Sequence, residues 1–250
     1  MADTATTTAS ETAAIEARAP APPRSAPSHR GAAVVAGVAG CLLLAFGLPR
    51  LVAGVATLDA RAVLWDVHSG AEAVQPQALA AASADLASAY RWVRDGELEG
   101  DRGLLLLRAA DAAVGAERKE LLAAATEATV ASLTRAPGQP SVWLRLAHLR
   151  NWEGDVKAAV AALRMSMLSG SFIPALMPSR IDLALRLLPA MDREVVELLE
   201  RQVRLMWVAD PNFVARLGAR PEAGPLVRNA LAAVSEDDMA LYLRLHGPRQ

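Results

Sequence analysis

The stretch GAAVVAGVAGCLLLAFGLPRLVAGVA, residues 31–56, holds a single ionic side chain, Arg50. No other segment constrains the chain so strongly, because water disfavours that much contiguous apolar surface. Its first part, Gly31–Leu48, is 18 residues long. As a helix it extends about 27 Å at 1.5 Å per residue, close to the ~30 Å hydrocarbon thickness of a bilayer. Pro49-Arg50 then interrupts the run. Arg50 is placed to snorkel to an interface, or Leu51–Ala56 to continue the helix beyond it.

Three readings of this segment compete: an uncleaved signal anchor over 31–56 with its core at 31–48, a cleaved signal peptide, and a lipoprotein signal ending at Cys41. Val38-Ala39-Gly40-Cys41 matches a lipobox in outline, but Leu42–Phe46, the most apolar part of the run, follows the cysteine where a mature lipoprotein turns polar. The anchor is the favoured reading. Arg18, Arg24 and Arg30 precede the run, against Arg50 and Arg61 just after its 31–48 core. This gives a slight preference for a cytoplasmic N-terminus and a periplasmic C-terminal domain on the inner membrane.

Residues 1–30 are dominated by Thr, Ala, Ser and Pro, show no apolar period and read as a disordered head. Asp3, Glu11 and Glu16 argue against an organellar presequence. Residues 57–250 form the working part. The net charge of −1 is far from the basic balance of a nucleic-acid binder, so no nucleic-acid partner is expected. Lysine occurs only at Lys119 and Lys157 while Arg and Ala abound, a bias of GC-rich coding that weakens Ala runs as structural signals. Cys41 is the single cysteine, so no intrachain disulfide and no cysteine-based zinc site can form.

The working part reads as helical almost throughout, with no strand-like alternation. Leu79, Ala82, Leu86, Tyr90 and Val93 share a face, with Gly96 expected to end that helix. Two more helices are expected to break near Gly115 and Pro137. Asp192 is an expected N-cap with Glu194 in the first turn, ahead of a face of Val195, Leu198, Leu199, Val203 and Met206 that Asp210-Pro211 ends. Shorter helices are expected over Pro225–Val234 and Glu236–His246. The predicted fold class is all-α.

The stretch PSVWLRLAHLRNWEGDVKAAVAALRMSMLSGSF, Pro140–Phe172, resembles a tetratricopeptide repeat, a helix-turn-helix unit of 34 residues. Counting from Pro140, Trp143, Leu146, Ala147, Gly154, Ala159 and Leu163 fall at pattern positions. Ser166 stands where Ala is usual, Ser171 where Pro is usual, and Arg150 where an aromatic is usual. Pro137 and Ala125 fit a preceding repeat. Small Ala147 and Ala159 allow close helix approach, and Gly154 permits a left-handed turn. The resemblance implies degenerate helical hairpins of an α-solenoid over 57–250, behind the N-terminal span. It also implies a groove lined by first helices, here by Ser141, Leu144, His148, Asn151 and Trp152, and hence a protein partner.

The longer stretch LRMSMLSGSFIPALMPSRIDLALRLLPAMDREVVELLERQVRLMW, behind one span, resembles in general pattern the VpsP-like bacterial membrane proteins of envelope polysaccharide biosynthesis. That resemblance implies an envelope partner within polysaccharide machinery, with the bilayer itself contacted through residues 31–56.

No catalytic motif, cofactor loop or metal-ligand spacing is present: there is no G-x-S-x-G, P-loop or G-x-G-x-x-G, and the GVAG run lies in the apolar segment. His68, His148 and His246 lie far apart in sequence, and Asp237-Asp238 reads as a helix N-terminus. The expectation is a non-enzymatic scaffold without cofactor or metal. The competing readings are a periplasmic glycan-active enzyme and a secreted or lipid-anchored repeat protein.

Overall fold

The computed structural model describes residues 29–70, 74–232 and 234–246. Among these there are twelve α-helices and no strand. The residues fall into two units, one ending at Ala45 and one beginning at Phe46. Of the expected disordered head, only His29 and Arg30 lie among the described residues, and they open the first helix.

That helix, α1, is His29–Ala56. It continues through Pro49, whose ring supplies no N–H to the ladder, and the Arg50 side chain turns back to donate to the Phe46 carbonyl at 3.3 Å. The span Gly31–Ala56 has a mean hydropathy of 2.2 and is long and apolar enough to cross a membrane or serve as a signal anchor. Helix α2, Leu58–Ser69, follows after one residue and ends at Gly70, whose φ of 68° is the left-handed cap that glycine adopts without a Cβ clash.

Prolines and aspartates mark most later helix starts. Helix α3, Pro76–Trp92, and helix α6, Pro140–Trp152, begin on a proline, where the missing N–H costs nothing. Helix α4, Gly96–Ala112, is capped by Asp95 and helix α7, Val156–Ser169, by Asp155. Helix α5 is Gly115–Arg135 and helix α8 is Met177–Leu187, followed by a 3-10 turn over Leu188–Ala190. Asp192 caps helix α9, Arg193–Ala209, through the Val195 N–H at 2.9 Å, as its sequence signal indicates. Asp210 caps helix α10, Pro211–Gly218; helix α11 is Gly224–Leu231 and helix α12 is Glu236–His246.

Gly96 starts α4 rather than ending α3, which stops at Trp92. Its role is close packing. A Cβ there would lie 2.8 Å from the Ala136 Cβ and 2.9 Å from the Ser132 carbonyl. Gly100 faces Ser132, and Gly103 faces Thr129 and Ala125. Ascending positions on α4 thus meet descending ones on α5, so the two run antiparallel at a distance only small residues allow. The pair α6 and α7 is also antiparallel: the Ser166 hydroxyl, late in α7, donates to the carbonyl of Pro140 at the start of α6, at 2.7 Å. Gly154 turns between them with φ 80°.

The main core gathers side chains from the end of α5 through α12, among them Ala147, Leu163, Met177, Ile181, Leu199, Val203 and Val227, all at most 1% exposed. A second cluster joins α2, α3 and α4 through Ala60, Leu64, Leu79, Ala82, Leu86 and Leu105. A third, Leu106, Ala125, Ala128 and Leu149, ties α4 and α5 to α6.

Candidate functional site

Helix α6 carries the repeat-like face. Ser141, Leu144, His148 and Trp152, spaced at three or four residues, fall on one side of a helix. They line a groove of about 420 Å³. Asn151 is partly buried but does not line it. One further turn-mate does: Arg145. The facing wall is α4, with Leu104, Leu107, Arg108 and Asp111. Leu176 and Ser179, at the start of α8, close the other side.

The groove is apolar at its floor, and Arg108, Asp111 and Arg145 are the charged side chains of its walls. Leu144 is buried at its base. The Nε2 of His148 and the Ser179 hydroxyl lie 3.0 Å apart, which joins α6 to α8. Burial holds the His148 imidazole below its ordinary pKa of 6.5, and the Arg186 cation adds to that. The ring therefore faces the groove neutral at physiological pH. Trp152 tilts 40° against it at 6.0 Å between centroids, and half of the tryptophan stays exposed. The other side of Trp152 borders a second cleft, of about 280 Å³, shared with Leu122, Leu149 and Glu153.

Arg145 donates to the Gly100 carbonyl of α4. Burial pushes its guanidinium down to about 10, opposed by Asp101, so it stays charged. Asp101 is in turn raised by burial, with Arg145 pulling the other way. Arg108 and Asp111 pair at 3.7 Å, both about half exposed. Sequence reasoning omitted Arg145, although it sits four residues after Ser141, because an arginine on a helix reads as a solvated charge. The α4 wall left no local signal: its approach to α6 is set by tertiary packing.

His68 and His246 have local partners. His68 Nδ1 lies 2.7 Å from the Leu64 carbonyl, and His246 stacks on Tyr242 with centroids 5.1 Å apart. Among the described residues no three His, Cys, Asp or Glu side chains cluster to hold a metal ion. Asp238, in the first turn of α12, accepts from the Trp207 indole at 3.0 Å and from the Ser235 hydroxyl at 2.6 Å.

No family model, no curated protein and no solved structure matches this chain.

Proposed function

We propose that the protein is a single-span membrane scaffold whose helical domain, held outside the cytoplasm, binds another envelope protein through the groove over α6. The observation that carries this reading is the alternation of helices around the groove. Its lining comes from α4, α6 and the start of α8, and skips α5 and α7. That is the arrangement of first helices in tetratricopeptide repeats, and it supports reading α4–α5, α6–α7 and α8–α9 as degenerate repeats of an α-solenoid. The lining pairs apolar leucines and a half-exposed tryptophan with two arginines. Tryptophan and arginine are the side chains most often dominant in protein recognition. The fitting occupant is a peptide segment with an apolar anchor and a carboxylate.

Anchoring by α1 would raise the local concentration of the groove near membrane partners, so modest affinity suffices. The resemblance to VpsP-like proteins makes polysaccharide assembly or export the pathway of choice for that partner. A glycan hydrolase would need two carboxylates flanking the scissile bond. The groove offers Asp111, tied to Arg108.

The test is site-specific photo-cross-linking in intact cells, with the reactive side chain at exposed Ser141. A discrete adduct with an envelope protein is expected, reduced about thirtyfold by Trp152→Ala, the ~2 kcal/mol of a hot-spot truncation. An adduct yield indifferent to Trp152→Ala would remove the groove from the binding surface.

A further inference from the structure

The junction of α1 and α2 leaves an apolar stripe on the outside of the molecule. Leu48, Leu51, Val55, Leu58, Ala62 and Trp65 follow one another at alternating spacings of three and four, and all six are exposed. The helical ladder carries this register across Thr57. Its N–H donates to the Ala53 carbonyl at 3.1 Å, and its carbonyl accepts from the Arg61 N–H at 2.9 Å. The opposite face, Ala53, Thr57, Ala60 and Leu64, is buried against the chain's own domain. A period of 3.5 residues is that of a coiled-coil seam.

Lipid and its polar layer account for the stripe as far as Leu58, about 3 Å past α1, but not for its far end at Ala62 and Trp65. Leu58 is 59% exposed and Trp65 74%. Trp65 stands nine residues past the end of α1, about 14 Å further along a helix, whereas the polar layer of a bilayer is only about 5–8 Å deep on each side. Such a face in water requires a partner.

The charges beside the stripe select which partner. With Leu58 and Trp65 at d positions and Ala62 at a, Arg61 takes a g position and Asp66 the e position five residues on. In a parallel two-stranded coiled coil these are the positions that pair across the seam. Both side chains are exposed, and neither joins an ion pair among the described residues. Two copies anchored by the same span are necessarily parallel, so Arg61 of each meets Asp66 of the other. We infer that the α1–α2 stripe is the seam of a parallel homodimer, closed by Leu58, Ala62 and Trp65 and put in register by Arg61 and Asp66. The inference rests on the membrane-anchored reading of α1.

The experiment uses the full chain carrying Cys41→Ser, with a single new cysteine from Leu58→Cys, Ala62→Cys or, as an exposed control elsewhere, Val114→Cys. Membranes are pelleted, oxidised and resolved without reductant. Leu58→Cys and Ala62→Cys are expected to give a band of twice the chain mass at about ten times the Val114→Cys yield, because seam positions bring paired Cβ atoms together. Arg61→Asp should lower the Leu58→Cys yield about threefold, and adding Asp66→Arg should restore it. A chain absent from the membrane pellet overturns the anchor and the dimer together. A pelleted chain whose seam cysteines cross-link no better than the control, or cross-link to a band of another mass, overturns the dimer alone. Indifference to Arg61→Asp overturns the parallel register.

Discussion

Arg180 is wholly buried, yet its four hydrogen bonds all go to neutral groups. Its Nε donates to the Ser166 hydroxyl, its Nη1 to the Gly170 carbonyl and the Gln202 side chain, and its Nη2 to the Ser166 carbonyl. The acceptors at Ser166 and Gly170 lie at the C-terminal end of α7, where a cation is favoured by the helix dipole. Gln202 in turn donates to the Ser171 carbonyl. The departure from the repeat pattern at Ser166 thus has a structural reason: its hydroxyl bridges Arg180 and the Pro140 carbonyl. Ser166→Ala, the substitution that restores the repeat pattern, is expected to destabilise by about 1–2 kcal/mol by leaving the Pro140 carbonyl and Arg180 short of partners. Arg180→Met should cost more, about 3–5 kcal/mol, because several buried acceptors lose their donor at once. Thermal unfolding of the purified chain in detergent measures both. A Ser166→Ala variant that melts higher than the parent would refute the network.

His148 yields a pH prediction at the same scale. Its folded pKa lies below the ordinary 6.5, chiefly through burial. The unfolded chain therefore binds the proton first as pH falls through 6.5, so stability declines on acidification and is lost progressively until the folded pKa is passed. His148→Gln retains a hydrogen-bonding partner for Ser179 and removes the titration. The fall in melting temperature between about pH 6.5 and pH 5 should be shallower in the variant. Identical slopes would assign the pH dependence to another group.

At the scale of elements, α4 and α5 depend on glycine for approach rather than for turning. Gly96→Ala brings a methyl group within 3 Å of the Ala136 Cβ and the Ser132 carbonyl, and the carbonyl cannot rotate away. Overpacking of about 1–3 kcal/mol should exceed the helix-propensity gain from alanine, which is at most about 1 kcal/mol. A lower melting temperature is the expected result, and a higher one would mean that the helices part freely. This glycine also marks the limit of reading the sequence. A glycine near the end of a periodic run looks the same whether it stops one helix or seats the next, and only the facing Ala136 and Ser132 distinguish the two. Local signals were legible: Asp192 as cap, Gly154 as left-handed turn, the apolar face of α9. The break near Gly115 and that after Asp210 were legible as well. Helices α2 and α10 were not, because their short apolar patterns become helical in the setting of neighbours. In the groove, the α6 residues followed from the repeat resemblance; Ser141, Leu144, His148 and Trp152 line it and Asn151 does not. Arg108, Leu104, Leu107 and Ser179 reach it only through packing between helices distant in sequence.

At the scale of the whole molecule, the partners of the proposed membrane-anchored scaffold depend on which side of the bilayer its helical domain occupies. The apolar span is defined by composition alone and was legible at once. Orientation depends on a small arginine imbalance, three before the Gly31–Leu48 core against two just after it, Arg50 and Arg61. With tags at both ends in spheroplasts of a diderm bacterium, external protease is therefore expected to remove the C-terminal tag and spare the N-terminal one. The chain should stay full-length in the membrane fraction. Protection of the C-terminal tag until lysis would put the Trp152 groove in the cytosol and direct the search for its partner there. A mature chain lacking Gly31–Leu48 would make the span a cleaved signal, and one beginning at Cys41 a lipid attachment. In either case the domain would lose the fixed parallel orientation on which pairing of Arg61 with Asp66 depends.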